Sequence, residues 1–134
     1  MTDMQIENEI QAKGLNAPRI TPKDIQQNIV AEYYFTAGDG YAGALTVDAD
    51  AMSNCPVSDD GVPMIHVPSQ LDLLTFCVLV LKNGFTVTGE SACASPENFD
   101  KEIGQKIARE NAINKVWPLM GYELKQRLFN AVEE

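Results

Sequence analysis

The chain has 134 residues, 45% of them hydrophobic, which is enough for one domain with a core and excludes wholesale disorder. Nineteen acids against ten basic residues give a formal charge of −9, so general affinity for nucleic-acid phosphates is not expected. No apolar run approaches the roughly 18 residues of a membrane span, and Met1-Thr2-Asp3-Met4-Gln5 lacks the basic and apolar regions of a secretion signal; a soluble intracellular protein with no membrane partner is expected.

Residues 1–20 are polar with weak periodicity in Met4, Ile6, Ile10 and Leu15, and read as a tail or a short helix. Thr21-Pro22-Lys23-Asp24 is a helix start, with Thr21 as cap, Pro22 in the first turn and Asp24 reaching back. Ile25, Ile29, Val30, Tyr33 and Tyr34 continue it at helical spacing, and Gly38 and Gly40 are expected to stop it.

Residues 37–70 form an irregular excursion punctuated by Gly and Pro, with Leu45-Thr46-Val47 and Met64-Ile65-His66-Val67 as short strand candidates. The charge concentrates towards the front. No basic residue lies between Lys23 and Lys82, an interval that contains Asp24, Glu32, Asp39, Asp48, Asp50, Asp59, Asp60 and Asp72.

Leu73–Leu81 and Phe85–Thr88 flank Asn83-Gly84, the strongest short hairpin signal. A two-residue turn there sets Val80 opposite Val87, so that Phe76, Val78, Val80, Phe85 and Val87 share one face and Cys77, Leu79 and Leu81 the other. Ser95-Pro96-Glu97 opens a second helix with Phe99, Ile103, Ile107, Ile113 and Trp117 as its bulky face. Gly104, Ala108 and Ala112 form a second, small stripe that lets another backbone approach, so this helix is expected to be covered on two sides. Pro118 should break or bend it, and Leu119–Val132 gives a last helix. The fold class is α+β: an N-terminal helix, a central antiparallel hairpin or small sheet extended by strands from 37–70, and two C-terminal helices, all in a single domain over 21–134.

Thr75–Phe85, Gly89-Glu90-Ser91-Ala92, Phe99-Asp100, Glu102-Ile103-Gly104, Ala108-Arg109-Glu110-Asn111-Ala112 and Trp117 through Gly121-Tyr122 follow one another in an order that resembles a family of small bacteriophage and prophage proteins, the gp-forty-nine/gp-sixty-six family of tailed phages. The resemblance covers residues 21–36 and 71–131; nothing in 37–70 transfers. It implies a phage-encoded protein acting in the cytoplasm of a bacterial host, and carries no catalytic residues.

The residues themselves supply little chemistry. Asp48, Asp50, Asn54 and Asp59 mimic positions of a calcium loop, but Met52 and Ser53 stand where a ligand and the turn glycine belong, so no metal is expected. Cys55, Cys77 and Cys93 are odd in number and read as free thiols. With one histidine, His66, a Cys–His pair is the sole nucleophilic arrangement that spacing allows, and no Gly-x-Ser-x-Gly elbow exists.

The candidate ligand-binding residues are Glu90, Ser91, Ser95, Asn98, Arg109 and Asn111. The order strand, Gly89–Ser95, helix presents free N–H groups for an anion at a helix start. Arg109 lies too far along to reach that end and would serve a neighbouring subunit, while Glu110, Asn111 and Asn114 would line a pocket or pin an interface. The expected function is a non-enzymatic phage accessory protein without a cofactor. It would assemble with itself and bind a host protein or a small anionic ligand, countering host defence by sequestering a nucleotide signal. The alternatives are a minor virion or assembly protein and an acidic mimic of DNA.

Overall fold

A computed structural model describes residues 2–133. Helix α1 (Asp3–Ala12) is closed at its start by a reciprocal Thr2–Gln5 capping box. Helix α2 (Pro22–Asn28) has the expected Thr21–Asp24 box and Pro22 in its first turn.

Helix α2 ends sooner than its periodicity suggests. Ile29–Thr36 is strand β1, paired antiparallel with β2 (Leu74–Leu81). Ile29, Val30, Tyr33, Tyr34, Phe35 and Thr36 are β-branched or aromatic, and β2 would otherwise expose a long apolar edge, so pairing overrides the helical spacing. Strand β3 (Thr86–Ala92) completes a three-stranded sheet in the order β1-β2-β3.

The hairpin forms at Asn83-Gly84 with a register one residue from that of a two-residue turn. Val80 faces Thr86 and Leu79 faces Val87. Leu81 N–H donates to Phe85 at 2.9 Å across a three-residue loop, Lys82-Asn83-Gly84, whose glycine has φ +89°, as a loop ending in a left-handed residue requires. A slip of one exchanges faces: Val87 joins Cys77, Leu79 and Leu81 in the core instead of opposing them.

The excursion 37–70 supplies no strand to the sheet. Thr36 and Asp39 form another capping box that starts α3 (Ala37–Thr46), and Asp48 caps the short α4 (Ala49–Ser53). Leu45-Thr46 is therefore the end of a helix, and the one pairing nearby is an isolated bridge between Val57 and Pro63. The glycines expected to stop a helix lie inside α3, where Gly38 sits under the Asp72 side chain and Gly40 against the Phe35 ring.

The two expected C-terminal helices are one. Pro96–Asn98 is only a single turn of 3-10 helix, and α5 runs from Lys101 to Glu133 through Pro118. An interior proline costs about 3 kcal/mol; burial of Val116 and partial burial of Trp117 and Met120 on either side of it offset that cost. Helix α5 lies along one face of the sheet with Ala108, Ala112, Ile113 and Val116 against Cys77, Leu79, Leu81, Val87 and Ile25. The small stripe is the core face, and the bulky Ile103 and Ile107 are 56% and 45% exposed.

Candidate functional site

The six candidate residues do not converge on one place. Ser91 and Asn98 line a cavity of about 130 Å³ with Thr75, Cys93 and Gly104, well below the roughly 300 Å³ at which ligand pockets begin. Glu90 and Asn111 meet across the β3–α5 boundary: the Asn111 side-chain amide donates to the Glu90 carbonyl at 2.8 Å, and the Glu90 carboxylate lies 3.8 Å from Lys115. Arg109 points to the other side of α5. Its Nε donates to Glu32 at 2.6 Å and its Nη2 to Gln26 at 2.8 Å.

Ser95 neither caps a helix nor offers a free hydroxyl, because it donates to the Glu97 carboxylate. The N–H groups expected after Ser95 are not those of a long helix. Helix α5 begins at Lys101, where the Asp100 carboxylate accepts from Ile103 N–H at 3.0 Å. Glu110 and Asn114 are both exposed, Asn114 at the side of an open concavity that it lines with Thr86, Thr88 and Pro118. The strand–loop–helix segment therefore does not present the start of a long helix at Ser95.

The Arg109 cluster is a joint. Hydrogen bonding from Arg109 outweighs desolvation and, with a bond from Tyr34, holds the Glu32 carboxyl below its ordinary value. Burial, with Glu32 beside it, pushes the Tyr34 hydroxyl far up. Burial also raises the thiol of Cys77, which is fully enclosed, so this cysteine is a packed side chain and a poor nucleophile. His66 lines a separate cavity of about 240 Å³ with Cys55, on the 37–70 excursion. Among the described residues no three His, Cys, Asp or Glu side chains gather as metal ligands, and no helix is long and apolar enough to cross a membrane.

A more spacious concavity lies where the sequence offered no motif. A groove of about 750 Å³ runs between Pro18–Ile20, α2, the hairpin tip and α5. Arg19, Lys82 and Arg127 border it, Phe85 forms part of its wall, and Asp24 and Glu123 also line it. Arg19 is paired with Glu7 and Arg127 with Glu123, whereas Lys82 makes no ion pair among the described residues. These residues come from four separate stretches of chain, so only the fold assembles them. The one local signal was Lys82 beside the Asn83-Gly84 turn.

Residues 20–128 match the family model described as the phage protein (N4 Gp49/phage Sf6 gene 66) family. The chain belongs to that family. The match brackets the 37–70 excursion and leaves α1 outside. All the groove residues except Pro18 and Arg19 lie within the family region. No curated protein and no solved structure is significantly similar to the chain.

Proposed function

We propose that this phage protein acts by binding rather than by catalysis: it associates with itself and holds a small anionic ligand in the groove beside the hairpin tip, countering host defence by sequestering a nucleotide signal in the host cytoplasm. The observation that carries this reading is the groove itself. Its volume of about 750 Å³ falls within the roughly 300–1,000 Å³ of small-molecule sites. On a chain of net charge −9 it gathers three cations, Arg19, Lys82 and Arg127. The Arg127–Glu123 pair is 63% and 60% exposed and so contributes little in place, leaving the guanidinium available to a phosphate. Phe85, 54% exposed at the groove wall, offers a face on which a base could stack.

Calorimetry with a panel of cyclic nucleotides and ADP-ribose derivatives tests it. Saturable binding that weakens at least tenfold in Lys82→Ala and in Phe85→Ala is the expected result. No heat with any member of the panel, or binding indifferent to both substitutions, overturns it.

A further inference from the structure

We propose that the outer edge of β1 is a two-fold contact with a second copy of this chain, in which the two β1 strands pair antiparallel and join both sheets into one. The proposal rests on the self-association in the reading above and not on the ligand. The ladder of β2 decides which groups β1 leaves free. Leu81 N–H donates to the Phe85 carbonyl and Cys93 N–H to the Leu73 carbonyl, so the odd-numbered residues along β2 bond β3. Lys82 N–H donates to the Asn28 carbonyl, so the even-numbered ones bond β1. Val80, Val78 and Phe76 therefore exchange hydrogen bonds with Ala31, Tyr33 and Phe35. The backbone N–H and C=O of Glu32 and Tyr34 point the other way, and among the described residues nothing bonds them.

The two edges of the sheet are treated differently. On β3 the Glu90 carbonyl, which points outward by the same alternation, is taken by the Asn111 side chain at 2.8 Å, and Lys115 lies beside the Glu90 carboxylate. That edge is blunted by polar groups of α5. Strand β1 has neither a proline nor a lysine, the usual devices that keep an edge from pairing. Its one charge, Glu32, is turned to the α5 side, where Arg109 and Tyr34 hold it. On the other side of the sheet Tyr33 is 58% and Phe35 39% exposed. A bare row of backbone donors and acceptors is completed by a further strand, which a helix or a loose apolar surface cannot replace.

The strand that fits is β1 itself. With the axis through Tyr33, Glu32 lies opposite the partner's Tyr34 and Tyr34 opposite the partner's Glu32. All of these residues face outward, so each pair exchanges both of its hydrogen bonds and none of the free groups is left over. On the open side the same axis sets Tyr33 against the partner's Tyr33 and Phe35 against the partner's Ala31, cross-strand contacts that favour a ladder. On the α5 side each Glu32 carboxylate meets a tyrosine instead of a second carboxylate. An axis through Glu32 would set the two carboxylates face to face and call on Val30, which stands in the bulge between Ile29 and Ala31. An axis through Tyr34 would call on the Thr36 N–H, which the Asp39 side chain already holds. The residues of β1 thus select one register, and a second β1 as its occupant.

Sedimentation velocity of the full chain from about 1 to about 100 µM, beside Tyr33→Lys, tests the contact, with circular dichroism to establish that the variant is folded. A dimer for the native chain is expected, and a folded monomer for Tyr33→Lys, which sets two ammonium groups against each other on the axis. In a Cys55→Ser/Cys93→Ser background, Tyr33→Cys should cross-link to its copy on oxidation. A pair of this kind has its α-carbons about 4.5 Å apart, within disulfide reach. Thr88→Cys, exposed on the opposite edge strand, should not cross-link. A monomeric native chain, a dimer that survives Tyr33→Lys, or equal cross-linking at both positions overturns the proposal. Should Tyr33→Lys fail to fold, the paired cysteine results decide alone. A monomer that binds a nucleotide would sink this contact and leave the groove reading standing; a dimer lost in Tyr33→Lys that binds none would do the reverse.

Discussion

Gly89 of β3 lies against the backbone of Ala112 in α5, so close that a Cβ on the glycine would stand 2.8 Å from the Ala112 α-carbon. Both backbones are held by long elements, so neither can yield cheaply. This contact explains why α5 turns its small residues inward and leaves Ile103 and Ile107 exposed. A bulky stripe would hold the helix away from the strand.

Gly89→Ala is therefore expected to destabilise the fold by about 2–4 kcal/mol, the upper range of overpacking and strain. Gly43→Ala, at a helical glycine with open space around it, should be neutral or stabilising by up to about 1 kcal/mol. Urea denaturation of the two variants makes the comparison. Equal midpoints would mean that the β3–α5 approach leaves room for a methyl group at Gly89.

The Glu32–Arg109 joint ties β1 and α2 to α5. Glu32 has a folded pKa lowered from an ordinary 4.5, first by the hydrogen bond from Arg109. A depressed carboxylate contributes stability above its unfolded pKa and loses it as pH falls through the folded value. Glu32→Gln should lower stability at pH 7 by about 1–2 kcal/mol, since both groups are part-exposed and the bond is charge-assisted. The gap between variant and native chain should narrow below pH 4.5. Thermal melts from pH 7 to pH 3 follow this, and a constant gap would mean that the pair contributes nothing.

Helix α1 is held differently. The buried Glu7 carboxylate accepts from both Nη atoms of Arg19, and Trp117 Nε1 donates to Asp3 at 3.3 Å over a cavity lined by Ile6, Ile10 and Ile20. Arg19→Ala removes the partner that holds Glu7 below its ordinary range. The expected result is release of α1 alone: amide exchange over 3–12 accelerates and Trp117 emission shifts to the red, while the main thermal transition keeps its midpoint within about 1–2 °C. A cooperative loss of the whole fold would instead make α1 part of the core.

The legible parts of this fold were those written in short-range chemistry. The Thr21–Asp24 box, the Asn83-Gly84 turn and the spacing of Gly104, Ala108 and Ala112 each act over a few residues, and each is present. Errors arose where a tertiary partner decides. Ile29–Phe35 satisfies helical spacing and becomes a strand because β2 needs an edge. One extra loop residue moved Val87 across the sheet. The candidate residues are dispersed for the same reason: Arg109 finds Glu32 at a separation of 77 residues, and the groove cations arrive from distant segments. The resemblance to the phage family rested on motif order, which does not require knowing the fold.

The start of α5 offers the sharpest contrast between the two kinds of information. Ser95-Pro96-Glu97 reads as the helix opening, yet the chain starts its long helix five residues on, at Lys101 behind Asp100. Asp100 accepts from Ile103 N–H, satisfying one of the four donors a helix start leaves unpaired, while Ser95 bonds Glu97 within a single 3-10 turn. Asp100→Ala should cost about 1 kcal/mol, the usual worth of an N-cap, and Ser95→Ala less than about 0.5 kcal/mol. Urea midpoints in the reverse order would relocate the helix start to Ser95 and with it the free N–H groups beside Ser91.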